Sequence, residues 1–252
     1  MSSGTLKQDK SAEIKFFDRF TLQKDYDSLT EEGYSSIESA FRECLGENSS
    51  KIQNAIDLGC GTGSFTRRFL NPAKIKSFGA DISLNAIQRA RSKNDGIQYC
   101  VSDICQLGIK DASMDLVIFS GVLHHFPEIE ICLNEAYRIL KKNGIVLCFE
   151  PHINNPFMWL YRHPKSFFYS KTGITKNEHL LSKKDLQQAL EKSKFNSCKI
   201  FAISGVTFSF VESPFARILL PLYNLVESLL GKLKLAKNYG SFVICCGKKE
   251  EE

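Results

Sequence analysis

The sequence predicts an α/β protein in which a mostly parallel sheet carries helices on both faces. Three observations predict it. Between residues 54 and 150, short apolar runs of strand length alternate with segments of helical periodicity, the pattern that sets strands side by side with helices packed over them. The first run, Ala55-Ile56-Asp57-Leu58, ends in the turn Gly59-Cys60-Gly61-Thr62-Gly63 and opens into a helix at Ser64. Two further strand-like runs, 196–203 and 239–246, bring the sheet to seven strands.

The elements follow in order. Residues 11–20 fit a helix with Ile14, Phe17 and Phe20 on one side, and 35–45 fit another. The glycine turn comes next. Its alternate glycines strip every Cβ from one side, so a ligand can lie against bare backbone, and the helix 64–70 offers free N–H groups at its start. Ser77-Phe78-Gly79-Ala80-Asp81 reads as the end of a second strand, and 97–104 as a third ending in an acid, Asp103. Residues 113–119 form the fourth strand, followed by Ser120-Gly121-Val122-Leu123-His124-His125-Phe126. A helix over 128–140 leads into strand five from Leu140. The insertion 151–182 holds the single tryptophan, Trp159, and an aromatic cluster suited to an apolar concave pocket. A helix over 183–192 precedes the last strands. Ser213-Pro214 starts a further helix with Phe215, Ile218, Leu219, Leu222, Leu225, Val226, Leu229 and Leu233 at helical spacing, which Pro221 should break or kink.

Composition narrows the function classes. With 252 residues the chain can bury a sizeable core, and 43% hydrophobic with 24% charged residues is ordinary for a globular protein. A net charge of +5 with scattered Lys and Arg gives little support to a nucleic-acid partner. Nine cysteines, an odd count with no C-x-x-C pair, fit core filling in a reducing compartment. The start of the chain is polar and no apolar run reaches membrane-span length, so the expectation is a cytoplasmic protein.

A dinucleotide fingerprint needs a third glycine where this chain has Ser64. The pattern is instead D-x-G-x-G-x-G, Asp57 to Gly63. It resembles motif I of the class I S-adenosylmethionine-dependent methyltransferases. Asp81, Asp103, the "FDxV…xLHH"-like stretch ending in His124-His125, and Leu140-Lys141-Lys142-Asn143-Gly144 are similar to that family's later motifs and come in its order over roughly 54–150. The stretch 16–20 with Tyr26-Asp27 resembles the entry of quinone-type members. The resemblance implies a Rossmann-like fold with a helical cap over 1–50, a cofactor-binding core over 51–150, a lid over 151–182 and a completion of the core over 183–252, together one methyltransferase domain. It implies S-adenosylmethionine as cofactor and methyl transfer to an oxygen or carbon of a small apolar or lipid-like acceptor. The Asn-Pro-Pro-Tyr type element of base-methylating enzymes is missing. A Rossmann-type nucleotide-cofactor oxidoreductase and a non-catalytic cofactor-binding partner are the alternatives.

The same resemblance gives the candidate site. Asp57 would help hold the methionine part, with Gly59, Cys60, Gly61 and Gly63 allowing close approach. Asp81 would accept the ribose hydroxyls, with Ile82 beside it. Asp103 would take the adenine amino group while Ile104 packs on the ring, and Ser120 and Tyr26 would touch the cofactor. Each acid also has a plain role: Asp57 as a turn cap, Asp81 as a helix cap, Asp103 as a turn starter. All five histidines follow strand four, and a histidine can take a proton near neutrality. One of the His124-His125 pair should face the acceptor, with His125 preferred over His124 and His152 behind both. No zinc-type spacing is present, and no metal is expected. The apolar stripe within 213–237, followed by Lys232, Lys234 and Lys237, either packs on the sheet and lid or lies in a membrane interface, which would make the protein membrane-peripheral.

Overall fold

The computed structural model of the protein describes residues 8–22, 25, 27–70, 73–169, 174–175, 177–233 and 238–250. The strands are β1 (Asn54–Leu58), β2 (Lys76–Asp81), β3 (Gln98–Val101), β4 (Met114–Ser120), β5 (Leu140–Pro151), β6 (Asn196–Ile203) and β7 (Phe242–Lys248). They make one sheet in the order β3-β2-β1-β4-β5-β7-β6. The first five are parallel, and β7 runs antiparallel to both β5 and β6. The order steps outward from β1 through β2 to β3, then restarts on the other side of β1 at β4. That switch opens a crevice beyond the carboxyl ends of β1 and β4, the place where doubly wound sheets bind ligands.

The helices are α1 (Lys10–Thr21), α2 (Glu31–Leu45), α3 (Ser64–Phe69), α4 (Leu84–Ser92), α5 (Ile129–Ile139), α6 (Pro156–Arg162), α7 (Lys183–Lys192) and α8 (Pro214–Leu233). Two cores flank the sheet. On one face α5 sets Cys132, Leu133, Ala136 and Ile139 beside Leu186 and Leu190 of α7. On the other, Ile37 and Phe41 of α2 meet Phe65, Met158 and Tyr223. Each large aliphatic side chain fully buried this way contributes about 1.5–3 kcal/mol. Side-chain caps fix the helix starts: Ser83 accepts from the Ala86 N–H, and Ser182 and Asp185 form a reciprocal capping box on α7.

The structure departs from the sequence expectations in three places. β5 runs to Pro151, one residue into the segment expected as the lid, because its ladder with β7 continues to Pro151 opposite Phe242. Pro221 does not interrupt α8, which runs 20 residues through it. Both Pro221 and Arg217, whose carbonyl loses its N–H partner, lie on the exposed side where solvent can serve that carbonyl. The cysteines fill core at Cys148, Cys245 and Cys246, but Cys100 is exposed, since β3 is an edge strand. No helix among the described residues is long and apolar enough to cross a membrane.

Candidate active site

A cavity of about 170 Å³ occupies the crevice. It gathers Gly59, Cys60, Gly61, Asp81, Ile82, Asp103, Ile104, Ser120, His124 and His125 from the ends of four strands. Asp57, Gly63 and His152 lie off its wall, and Tyr26 lies outside the described residues.

The glycine turn is shaped by left-handed backbone. Gly59, Gly61 and Gly63 have φ of 77°, 53° and 75°. Their neighbours differ. A Cβ on Gly59 would come within 2.5 Å of Val122, and one on Gly63 within 2.5 Å of the Tyr99 hydroxyl, whereas one on Gly61 would enter open space. Gly61 is therefore the bare surface a ligand can approach, and Gly63 is required by packing.

The acids divide in the same way. Asp57 is fully buried; its two oxygens accept from the Thr66 hydroxyl at 2.6 Å and the Ser120 hydroxyl at 2.7 Å. Burial pushes its pKa up to about 7 despite these donors. Asp81 faces the cavity. One oxygen accepts the Gly61 N–H at 2.9 Å and the other the Ser83 N–H at 2.8 Å, and each keeps acceptor capacity for a further donor. Burial raises its pKa above the ordinary value. Asp103 pairs with Lys10 of α1 and accepts from the Cys105 N–H at 2.9 Å. Burial works against ionisation there, but Lys10 and the Cys105 N–H together outweigh it and hold the carboxyl below the usual range.

Both histidines of the pair line the cavity, where one was expected to. The short 3₁₀ turn Leu123–His125 places their rings 4.3 Å apart, and both are buried. Their surroundings are opposite. His124 Nδ1 lies 2.7 Å from Glu150 Oε2. Glu150 also accepts the backbone N–H groups of Val122, Leu123 and His124, and so holds the whole turn; burial pushes its pKa up to about 7. Burial, and then the neighbouring His125, hold His124 well below its ordinary pKa. His125 Nδ1 lies 3.1 Å from Glu13 Oε2 and 3.2 Å from the Thr175 hydroxyl. Burial would lower its pKa, but Glu13 and the nearby acids Glu178 and Glu150 raise it overall. His152 stands apart at the end of β5, fully buried, with Nδ1 3.1 Å from the Gly240 carbonyl.

Sequence reasoning missed Glu13, Glu150, Glu178 and Arg162. Glu13 had a readable signal: it lies four residues before Phe17, so a charge stands on the inward stripe of α1. Arg162 Nη1 pairs with Glu178 at 2.6 Å. His124, His125 and Glu178 bring ligand-type atoms within 4.8 Å of one another, a grouping no sequence spacing showed. The positive charge of Arg162 on Glu178 opposes a second cation there.

A larger cavity of about 540 Å³ adjoins this one and shares Ser28, Arg162 and Phe208 with it. Its walls are mostly aromatic and aliphatic, with Phe157, Tyr161 and Phe168 from the insertion and Phe215, Leu219 and Tyr223 from α8, and Asp25, Asp27 and Glu212 line it as well. Trp159 lies outside it and stacks on His163.

The residues present fit the implied cofactor: an uncrowded Gly61, two acceptor oxygens on Asp81, a second acid at Asp103, and Ile82 and Ile104 beside them. Residues 56–148 match the family described as a methyltransferase domain. The chain is 31% identical over 104 residues to the malonyl-[acyl-carrier protein] O-methyltransferase of Serratia marcescens, covering 41% of this chain and 40% of that protein. It is 26% identical over 166 residues to the demethylmenaquinone methyltransferase of Staphylococcus epidermidis, covering 64% and 68%. In fold it is similar to a methyltransferase of Thermotoga maritima (TM-score 0.60, 22% identity, 96% and 95% covered). It is similar too to a phosphoethanolamine N-methyltransferase of Haemonchus contortus in complex with S-adenosylhomocysteine (TM-score 0.53, 16% identity, 85% and 57% covered). The order of motifs, the seven-stranded sheet with its single antiparallel strand, and these likenesses agree: residues 56–148 are a methyltransferase domain, set in the fold shared by these S-adenosylmethionine-dependent enzymes.

Proposed function

We propose that the protein transfers a methyl group to an oxygen or carbon of a small apolar or lipid-like acceptor. The observation that carries this reading is the pair of adjoining cavities. One presents the glycine turn, Asp81 and the histidine pair; the other is large and aromatic, and Arg162 and Phe208 line both. Bound S-adenosylmethionine supplies a methyl group already activated on a sulfonium. The chain's part is then to hold and align. Asp81 accepts the ribose hydroxyls, Asp103 accepts the adenine amino group in exchange for part of its contact with Lys10, and Ile82 and Ile104 flank the base. Asp57 supports from behind by fixing Ser120 and Thr66. Alignment of this kind is worth about 7–11 kcal/mol.

The acceptor's proton falls to His125. Nδ1 faces the Thr175 hydroxyl and the Glu13 carboxylate, which leaves Nε2 as the nitrogen for a substrate proton, and a positioned base adds about 10²–10⁴-fold. Glu150 and His124 act as positioning residues that hold the turn. The names of the relatives support an apolar or carrier-bound acceptor: one acts on a malonyl group held by acyl-carrier protein, another on demethylmenaquinone. The oxidoreductase alternative has the Ser64 mismatch against it.

The test is calorimetry with S-adenosylmethionine and with NAD, followed by S-adenosylhomocysteine release on a panel of quinols and long-chain acids. Asp81→Ala should weaken cofactor binding by about 10–150-fold, the loss of a hydrogen bond to a charged group. Preferential binding of NAD would overturn the reading. Cofactor binding with no release on any acceptor would favour the non-catalytic alternative.

A further inference from the structure

We infer that α8 and the adjacent turn 163–169 form a face that docks on an anionic lipid surface, from which a lipid-borne acceptor enters the aromatic cavity sideways. The inference rests on the methyl-transfer reading and names where its acceptor comes from.

The face is apolar and open. Of the 20 residues of α8 only Tyr223 and Glu227 are buried. Ile218 is 75% exposed and Leu225 58%, and Leu222, Leu229 and Leu233 are open as well. At ~100° per residue these positions fall in one stripe roughly 80° wide, beside the buried side rather than on it. The core on this side is complete without them. Phe167, 94% exposed, extends the patch, and Phe168 stacks on Phe215 at 5.0 Å to join the turn to the helix.

Charge selects the occupant. Lys165 of the turn and Lys232 of α8 are exposed beside this patch; Arg217 is exposed farther round the helix, bonded to the Val211 and Glu212 carbonyls, and Glu212 lines the cavity just before α8. The one acid of α8, Glu227, is fully buried and held by Asn155, the Gly205 N–H and Ser241. An apolar stripe flanked by cations, with no exposed acid on its own helix, suits the interface of an anionic bilayer. A second copy of the chain would bring the same cations against these.

The cavity mouth lies on the same face. Phe168, Phe215 and Leu219 are each partly exposed and each line the aromatic cavity. A lipid tail leaving the bilayer at this point passes from one apolar surface to another without crossing water.

Flotation with vesicles of phosphatidylcholine, alone or mixed with phosphatidylglycerol, tests this. The protein should float with the mixed vesicles at low salt, and less as salt rises. Emission from Trp159, the single tryptophan, should move to the blue on binding. In Leu225→Gln/Leu229→Gln the bound fraction should fall about tenfold or more, while melting temperature and S-adenosylmethionine affinity stay unchanged because both sites are exposed. Wild-type protein left in the soluble fraction at low salt overturns the proposal. So does a concentration-dependent dimer that this double variant breaks, which would make the face an interface between copies. Loss of cofactor binding in a protein that still floats would instead count against the methyl-transfer reading alone.

Discussion

Single residues carry the division of labour at this site, and neighbours in sequence have opposite chemistry. His124 is kept neutral by burial, whereas Glu13 keeps His125 charged to higher pH than an ordinary histidine. Glu13 itself is pushed up by burial but held below the usual carboxylate range by His125. The pair therefore stabilises the fold between the depressed pKa of Glu13 and the raised pKa of His125, and is lost as pH falls through the first or rises through the second. As a base His125 must lose its proton, so the rate should rise with pH through a value above about 6.5. Removing the charge of Glu13 takes away much of what raises that value. In Glu13→Gln the apparent pKa of the pH–rate profile should drop, while His125→Ala should abolish that limb. An unchanged profile in both variants would leave catalysis to alignment alone.

At the scale of elements, the glycine turn shows that one motif can hold residues kept for unlike reasons. Gly61→Val puts a side chain into open space beside Asp81 at a φ that valine resists. It should keep the far-ultraviolet spectrum of the parent and lose cofactor binding. Gly63→Ala meets Tyr99 and the same backbone strain, so it should lower stability by about 1–3 kcal/mol. Its effect on cofactor affinity should be the smaller of the two. Denaturant unfolding together with calorimetry separates them, and equal cofactor affinity in Gly61→Val and the parent would remove the turn from the site. The helix α8 makes a related point: its periodicity marked an apolar stripe, but the stripe turned outward.

For the whole molecule, the feature that matters is how α1 closes the crevice. Lys10 reaches Asp103, Glu13 reaches His125, and Asp18 accepts from the Ser83 hydroxyl at 2.6 Å, while α1 packs on α4. A ligand beneath this helix joins it to strand ends that are otherwise separate. Amide exchange across 10–21 should slow by an order of magnitude or more when S-adenosylhomocysteine binds. Exchange that stays the same at saturating ligand would mean that α1 takes no part in holding the cofactor.

What the sequence determined by itself was local or periodic. Strand runs of four to eight residues, helical stripes, the cap at Ser213, and the ordered motifs from Asp57 to Gly144 are patterns a few residues long, so they placed all seven strands. The tertiary structure alone decided what depends on long-range neighbours. It set Asp57 behind the turn and Asp81 in front of it. It brought Glu13 from residue 13 to His125, and it drew Arg162 and Glu178 together within the segment 151–182. It also fixed which side of α8 met the core. Periodicity gives a stripe but not its direction, because direction depends on what the rest of the chain leaves to be covered. With Tyr223, Phe157, Phe208 and Leu220 closing that side, Ile218, Leu222, Leu225, Leu229 and Leu233 stay exposed.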